Sequence, residues 1–91
     1  MEGWEMTVDF YQDRQGKGDL IARFSEDEIK IINSNLKRAR VSISVDPYGD
    51  TKLTHANLVQ ILEAVGEGND ESILAKLSML KDFEVCYGFG E

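Results

Sequence analysis

The stretch Phe24-Ser25-Glu26-Asp27-Glu28-Ile29 constrains this chain more than any other. Ser25 and Glu28 have the spacing of a capping box. The serine hydroxyl can accept from the Glu28 N–H while the Glu28 carboxylate reaches back to the Ser25 N–H. Phe24 before the cap and Ile29 four positions after it have the spacing of a hydrophobic staple. Glu26, Asp27 and Glu28 suit the positive end of a helix dipole, and Lys37 and Arg38 suit its negative end. Ile29, Ile32 and Leu36 fall on one face. The spacing predicts a helix over Glu26–Ala39.

The flanking segments show other periods. Trp4, Met6, Val8 and Phe10 alternate with Glu5, Thr7, Asp9 and Tyr11, which predicts a half-buried strand. Gln12 to Asp19 is polar and contains Gly16 and Gly18, so it reads as a loop before a short second strand, Leu20–Phe24. Val41, Ile43 and Val45 alternate with Ser42 and Ser44, which predicts a third strand. Asp46-Pro47-Tyr48-Gly49-Asp50 has turn chemistry. Thr54 is the next expected N-cap, with Leu53 and Leu58 as its staple. Leu58, Ile61, Leu62 and Val65 form a helical stripe that ends at Gly66, a residue suited to the C′ position. Asn69 or Asp70 would cap a third helix carrying Ile73, Leu74, Leu77 and Leu80. Phe83, Val85, Tyr87 and Phe89 then alternate with Glu84, Cys86 and Gly88. They predict a closing strand whose aromatics point inward and whose Cys86 points outward. The fold class is α+β, in the order β-β-α-β-α-α-β. An antiparallel or mixed sheet with three helices packed on it satisfies every stripe. Residues 1–91 form one domain, with the second and third helices as an antiparallel pair.

The residue inventory argues against most chemistry. His55 is the only histidine and Cys86 the only cysteine, 31 positions apart. Neither a zinc site nor a nucleophile elbow can be assembled around them. Asp46, Asp50, Glu67, Asp70 and Glu71 lie in or near loops, but their spacing is not that of a calcium loop. Gly16-Lys17-Gly18 lacks phosphate-loop spacing and precedes a strand, not a helix. No cofactor is expected, and no enzymatic activity. The lone cysteine permits no internal disulfide, and no apolar run reaches the ~20 residues of a membrane span. Acids near the N-terminus replace the bases of a signal peptide, so a cytoplasmic protein without membrane attachment is expected.

Charge is what remains. The net value is −7, and residues 46–91 contribute −6 of it, with nine acids against three bases. Such a surface repels phosphate backbones and attracts basic proteins. Lys30, Lys37, Arg38 and Arg40 are too few, and lack interleaved aromatics, to make a nucleic-acid site. A basic protein partner, such as a nuclease or toxin, is therefore expected in place of nucleic acid. The contact residues predicted are Asp46, Tyr48 and Asp50 in one turn and Glu67, Asp70 and Glu71 in the next loop. Tyr48 is included because tyrosine is enriched in binding hot spots. In size and charge, though in no motif, the chain is similar to small immunity proteins against nuclease toxins and to inhibitors that imitate nucleic acid. The alternative is a structural or regulatory subunit that self-associates through a sheet edge or face, and a small enzyme is the least expected reading.

Overall fold

The computed structural model describes residues 6–66 and 71–90. Trp4 lies outside them, as do Glu67, Asn69 and Asp70. Four strands and three helices follow one another as β1 (Thr7–Tyr11), β2 (Leu20–Ser25), α1 (Glu26–Arg38), β3 (Asp50–Thr54), α2 (His55–Val65), α3 (Glu71–Lys81) and β4 (Val85–Gly90). This is an α+β fold in the order read from the sequence. The sheet runs β2-β1-β4-β3, and each neighbouring pair is antiparallel. C-terminal β4 therefore inserts between β1 and β3, leaving β2 and β3 as the edges.

The Ser25 box forms as its spacing requires. Glu28 N donates to Ser25 Oγ at 3.2 Å, and Ser25 N donates to Glu28 Oε1 at 2.9 Å. Phe24 and Ile29 are both buried. Lys76 of α3 donates to both Glu28 oxygens, at 2.8 and 3.0 Å, and its ammonium stands 5.4 Å from the Phe24 ring centroid. One carboxylate thus caps α1 and fastens α3 to it. Burial pushes the Glu28 pKa up, but the Lys76 bond, the Ser25 bonds and the Lys76 charge outweigh it, and the net shift is downward. Thr54 caps α2 in the same way, exchanging hydrogen bonds with Asn57.

All three helices cover one face of the sheet. Val8, Phe10, Ala22, Phe24, Leu53 and Cys86 join Ile29, Ile32, Leu36, Leu58, Ile61, Ile73, Leu77 and Leu80 in a single core. Phe10 meets Phe24 edge to face, with ring centroids 5.6 Å apart. Opposite Phe10 in β4 is Gly88, where a Cβ would lie 2.7 Å from the Phe10 ring. The absent side chain is the space the ring occupies.

Three expectations are corrected. First, Val41–Val45 is not a strand; β3 is Asp50–Thr54. Arg40 takes φ 61°, in the left-handed region. Val41 N bonds Leu36 O at 2.9 Å and Arg40 N bonds Lys37 O at 3.1 Å, the two bonds of a Schellman motif. Val41 is therefore the apolar residue that closes the end of α1. Further on, the Asn33 side chain takes both the N–H and the C=O of Val45, at 2.9 and 2.8 Å, replacing a strand partner. Second, β4 has the opposite parity. Cys86 and Gly88 are buried towards the helices, whereas Val85, Tyr87 and Phe89 are half-buried on the other face. Alternation marks that a strand has two faces but not which one the core takes, and the bulky Phe10 and Leu53 need small partners. Third, Gly66 is the C-cap of α2, at φ −58°, and not a left-handed C′ residue.

Two stability predictions follow from these contacts. Glu28→Gln keeps the capping geometry and loses the ion pair, so it should cost about 0.5–1 kcal/mol at neutral pH. A carboxylate with a lowered folded pKa contributes stability above its ordinary value, and that stability is lost as pH falls through the folded value. Urea titrations should therefore show the wild type losing more stability than the variant as pH falls from above 4.5, the ordinary value of the Glu28 carboxyl, to below its folded value. Arg40→Gly relieves a left-handed non-glycine residue and should raise stability by about 0.5–1 kcal/mol in the same assay. No gain would mean that the arginine side chain offsets its backbone strain.

Candidate protein-binding surface

The predicted turn is built as a unit. Asp46 Oδ1 accepts from Tyr48 N at 2.9 Å, and Asp46 N donates to Thr51 Oγ1 at 3.0 Å. A Cβ at Gly49 would stand 2.5 Å from Asp46 Oδ2, so a side chain there would push the carboxylate from its place. Asp46 therefore shapes the turn in addition to charging it. Tyr48 is 64% exposed, yet its hydroxyl donates to Glu26 Oε2 at 3.2 Å, tethering the turn to the start of α1. Asp50 opens β3 and is exposed. Its cross-strand neighbour is Phe89. Glu71 is exposed in the first turn of α3. No hydrogen bond or ion pair among the described residues joins it to the Asp46–Asp50 turn. The structure thus gathers Asp46, Tyr48 and Asp50 and leaves Glu71 apart, while Glu67 and Asp70 fall outside the described residues.

The acids of the second half are spread over several elements. Asp46 and Asp50 flank one turn, Glu63 is on α2, Glu71 starts α3, and Asp82 and Glu84 precede β4. Among the described residues, ion pairs take up Asp9 (with Arg23), Glu26 (with Lys30) and Glu28 (with Lys76), all in the first third of the chain. Among the described residues no ion pair takes up Asp46, Asp50, Glu63, Glu71, Asp82 or Glu84.

A groove that sequence reasoning missed brings one of those acids together with two from the first half. It has a volume of about 710 Å³ and lies between the β1–β2 connection, the start of β2 and the end of α3. Leu20, Ile21, Met79 and Phe83 supply its apolar lining. Asp13, Asp19 and Asp82 supply carboxylates, against the single cation Lys17. Leu20 and Met79 are 42% and 51% exposed, unusually open for large apolar side chains on neighbouring elements. The connection above the groove holds a defined shape. Asp13 accepts from Gln15 N at 2.9 Å and from Gly16 N at 3.0 Å, through its side chain and carbonyl respectively. Gly16, at φ 71°, rests on the Phe89 ring, 3.2 Å from where its Cβ would be. A slip in the β1–β2 register leaves Ile21 without a cross-strand partner and pairs Leu20 with Tyr11. That bulge turns the start of β2 towards the groove. The only sequence signal was the adjacent apolar pair Leu20 and Ile21 after a glycine-bearing polar loop, and it becomes meaningful only once α3 is placed beneath.

The sheet face away from the helices is a second surface. Asp9 accepts a two-pronged bond from Arg23, at 2.8 and 3.0 Å. Tyr11 and Phe89 rings lie 5.9 Å apart, with Tyr87 opposite Tyr11.

The two singular residues are structural. His55 Nδ1 hydrogen-bonds the Lys81 carbonyl at 2.8 Å, and His55 N bonds Glu84 O at 3.0 Å, so the start of α2 ties down the α3–β4 turn. Cys86 is fully buried, not outward as its strand pattern implied, and burial pushes its thiol up to about 12. It is far from forming a thiolate at neutral pH. Among the described residues no three His, Cys, Asp or Glu side chains cluster to hold a metal ion, and no helix is long and apolar enough to cross a membrane.

Fold and surfaces together define a small α+β domain with an acidic, apolar-lined groove at one sheet edge. No known family matches the chain, and neither curated proteins nor solved structures show a similar one.

The fit of the β4 residues can be checked directly. Gly88→Ala should destabilise by about 1–3 kcal/mol, because the new methyl group must displace the Phe10 ring. Thermal unfolding would read this as a lowered midpoint. An unchanged midpoint would contradict the packing of Phe10 over Gly88.

Proposed function

We propose that this protein is a non-catalytic binding module that captures a basic protein partner, in the manner of an inhibitor that masks a cationic surface. The observation that carries this is the groove, where four apolar side chains share a wall with three carboxylates and one lysine. An apolar lining gives affinity through burial, and the acids select a cationic ligand and speed its approach. Lys and Arg side chains suit both, since their stems pack on apolar surface while their charged ends meet carboxylates. The Asp46–Tyr48–Asp50 turn is a secondary contact in this reading, because the hollow that Asp46 lines also carries Lys37 and no second acid. Its character favours a protein ligand over nucleic acid, whose phosphates the net charge of −7 would repel.

Self-association is the second reading, favoured by the half-buried Tyr11, Tyr87 and Phe89 on the sheet face that no helix covers among the described residues. Sedimentation at two salt concentrations separates them. A monomer that binds cationic ligand supports capture, and a salt-insensitive dimer supports self-assembly.

A labelled octapeptide alternating Lys with Leu provides the probe. Fluorescence anisotropy should show binding that weakens as salt rises. Asp13→Lys combined with Asp82→Lys should weaken it at least tenfold, about 1.4 kcal/mol, and flatten the salt dependence. Asp46→Lys with Asp50→Lys should have a smaller effect. The reverse order would move the contact to the turn.

A further inference from the structure

Two groove residues, Asp82 and Phe83, stand in the short turn between α3 and β4. From α3 the turn is held by Asp82 N on Met79 O at 3.3 Å and by Phe83 N on Leu80 O at 3.1 Å. The first of these is long for a hydrogen bond. The start of α2 holds both ends of the same turn through one residue. His55 Nδ1 bonds Lys81 O at 2.8 Å, just before the turn, and His55 N bonds Glu84 O at 3.0 Å, at its last residue. A carbonyl can only accept, so His55 Nδ1 carries the proton and donates it. Lys81 O is one of the last carbonyls of α3, which have no partner inside their own helix. His55 is itself fixed, because Thr54 caps α2 immediately before it. The ring does not line the groove, so any effect it has there passes through the turn.

We propose that His55 is a positioning residue of the groove: by clasping both ends of the α3–β4 turn it holds Asp82 and Phe83 where a cationic, partly apolar ligand meets them. The proposal rests on the capture function above and names what aims one part of the site. The other two carboxylates, Asp13 and Asp19, stand on the β1–β2 connection, which makes no hydrogen bond to His55 among the described residues. The influence of His55 should therefore reach Asp82 and not Asp13. Residues that share a network couple energetically, whereas independent ones add. A histidine that only satisfied the end of α3 would raise stability and leave the affinity of the folded protein as it is.

A double-mutant cycle read by anisotropy of the Lys-Leu octapeptide tests this, with thermal unfolding measured on every variant. His55→Ala removes the ring and keeps the main-chain bond to Glu84. It should weaken binding about fivefold, the weight of one ordinary hydrogen bond. His55→Asn can donate from Nδ2 to Lys81 O and should recover most of that loss. In the His55→Ala background Asp82→Lys should cost at least twofold less affinity than in the wild type, while the cost of Asp13→Lys stays unchanged. If His55→Ala does not fold, His55→Asn is compared with His55→Gln, whose amide stands one bond further out, and the asparagine variant should bind more tightly. A lowered midpoint with undiminished affinity would overturn the positioning role and leave capture standing. Equal change in the Asp82 and Asp13 costs, or equal binding by the asparagine and glutamine variants, would do the same. Failure of the unsubstituted protein to bind the octapeptide removes the capture function and this role with it.

Discussion

The seating of Phe10 across Gly88 and against Phe24 fixes the rest of the molecule. β1 and β4 are the two central strands, and only a glycine opposite Phe10 lets them pair while the ring turns into the core. Once that ring points at the helices, antiparallel register dictates every other side chain. Val8, Ala22, Phe24, Leu53 and Cys86 follow it inward. Asp9, Arg23, Tyr11, Tyr87 and Phe89 go to the other face. The helices have one apolar surface to cover, and α1, α2 and α3 share it. Glu28 locks this arrangement from the helix side, since its carboxylate closes the α1 cap and holds Lys76 of α3.

Consequences for function come from what this one-sided packing leaves uncovered. In the connection joining β1 to β2, Gly16 rests on Phe89, while Lys17, Gly18 and Asp19 line the groove. Beneath it the end of α3 cannot fill the space beside Leu20 and Ile21, and the groove results. Its carboxylates come from two separate stretches, Asp13 with Asp19 and Asp82 alone. The acid surplus of the second half is thus only partly concentrated. Asp46 is spent on its turn, Glu63 and Glu71 stand on helices, and Asp82 alone joins the groove.

Much of the fold was legible in the sequence because local signals agreed with tertiary packing. Ser25 with Glu28, Phe24 with Ile29, and Thr54 with Leu53 and Leu58 are local devices whose spacing states their geometry. The element order and the one-sided α+β architecture follow from them. Illegible features depended on long-range partners. Arg40 carries no mark of a left-handed residue, so Val41 looked like the start of a strand when it closes a helix. Asn33 looked like a polar helix residue and serves as the partner of Val45. The faces of β4 could not be assigned without knowing that it lies between β1 and β3, where Phe10 and Leu53 leave room only for Gly88 and Cys86. The groove is illegible for the same reason, since its walls are some 60 residues apart in sequence, Leu20 against Asp82.

The central proposal is that this groove makes the main contact with the partner and the charged turn only a secondary one. The most direct measurement is a map of amide chemical-shift changes in the ¹⁵N-labelled protein as the Lys-Leu octapeptide is added. The account predicts the largest shifts at Asp13, Leu20, Ile21, Met79, Asp82 and Phe83, with smaller ones at Asp46–Asp50. Shifts confined to the Asp46–Asp50 turn, or spread evenly over every acidic residue, would contradict it.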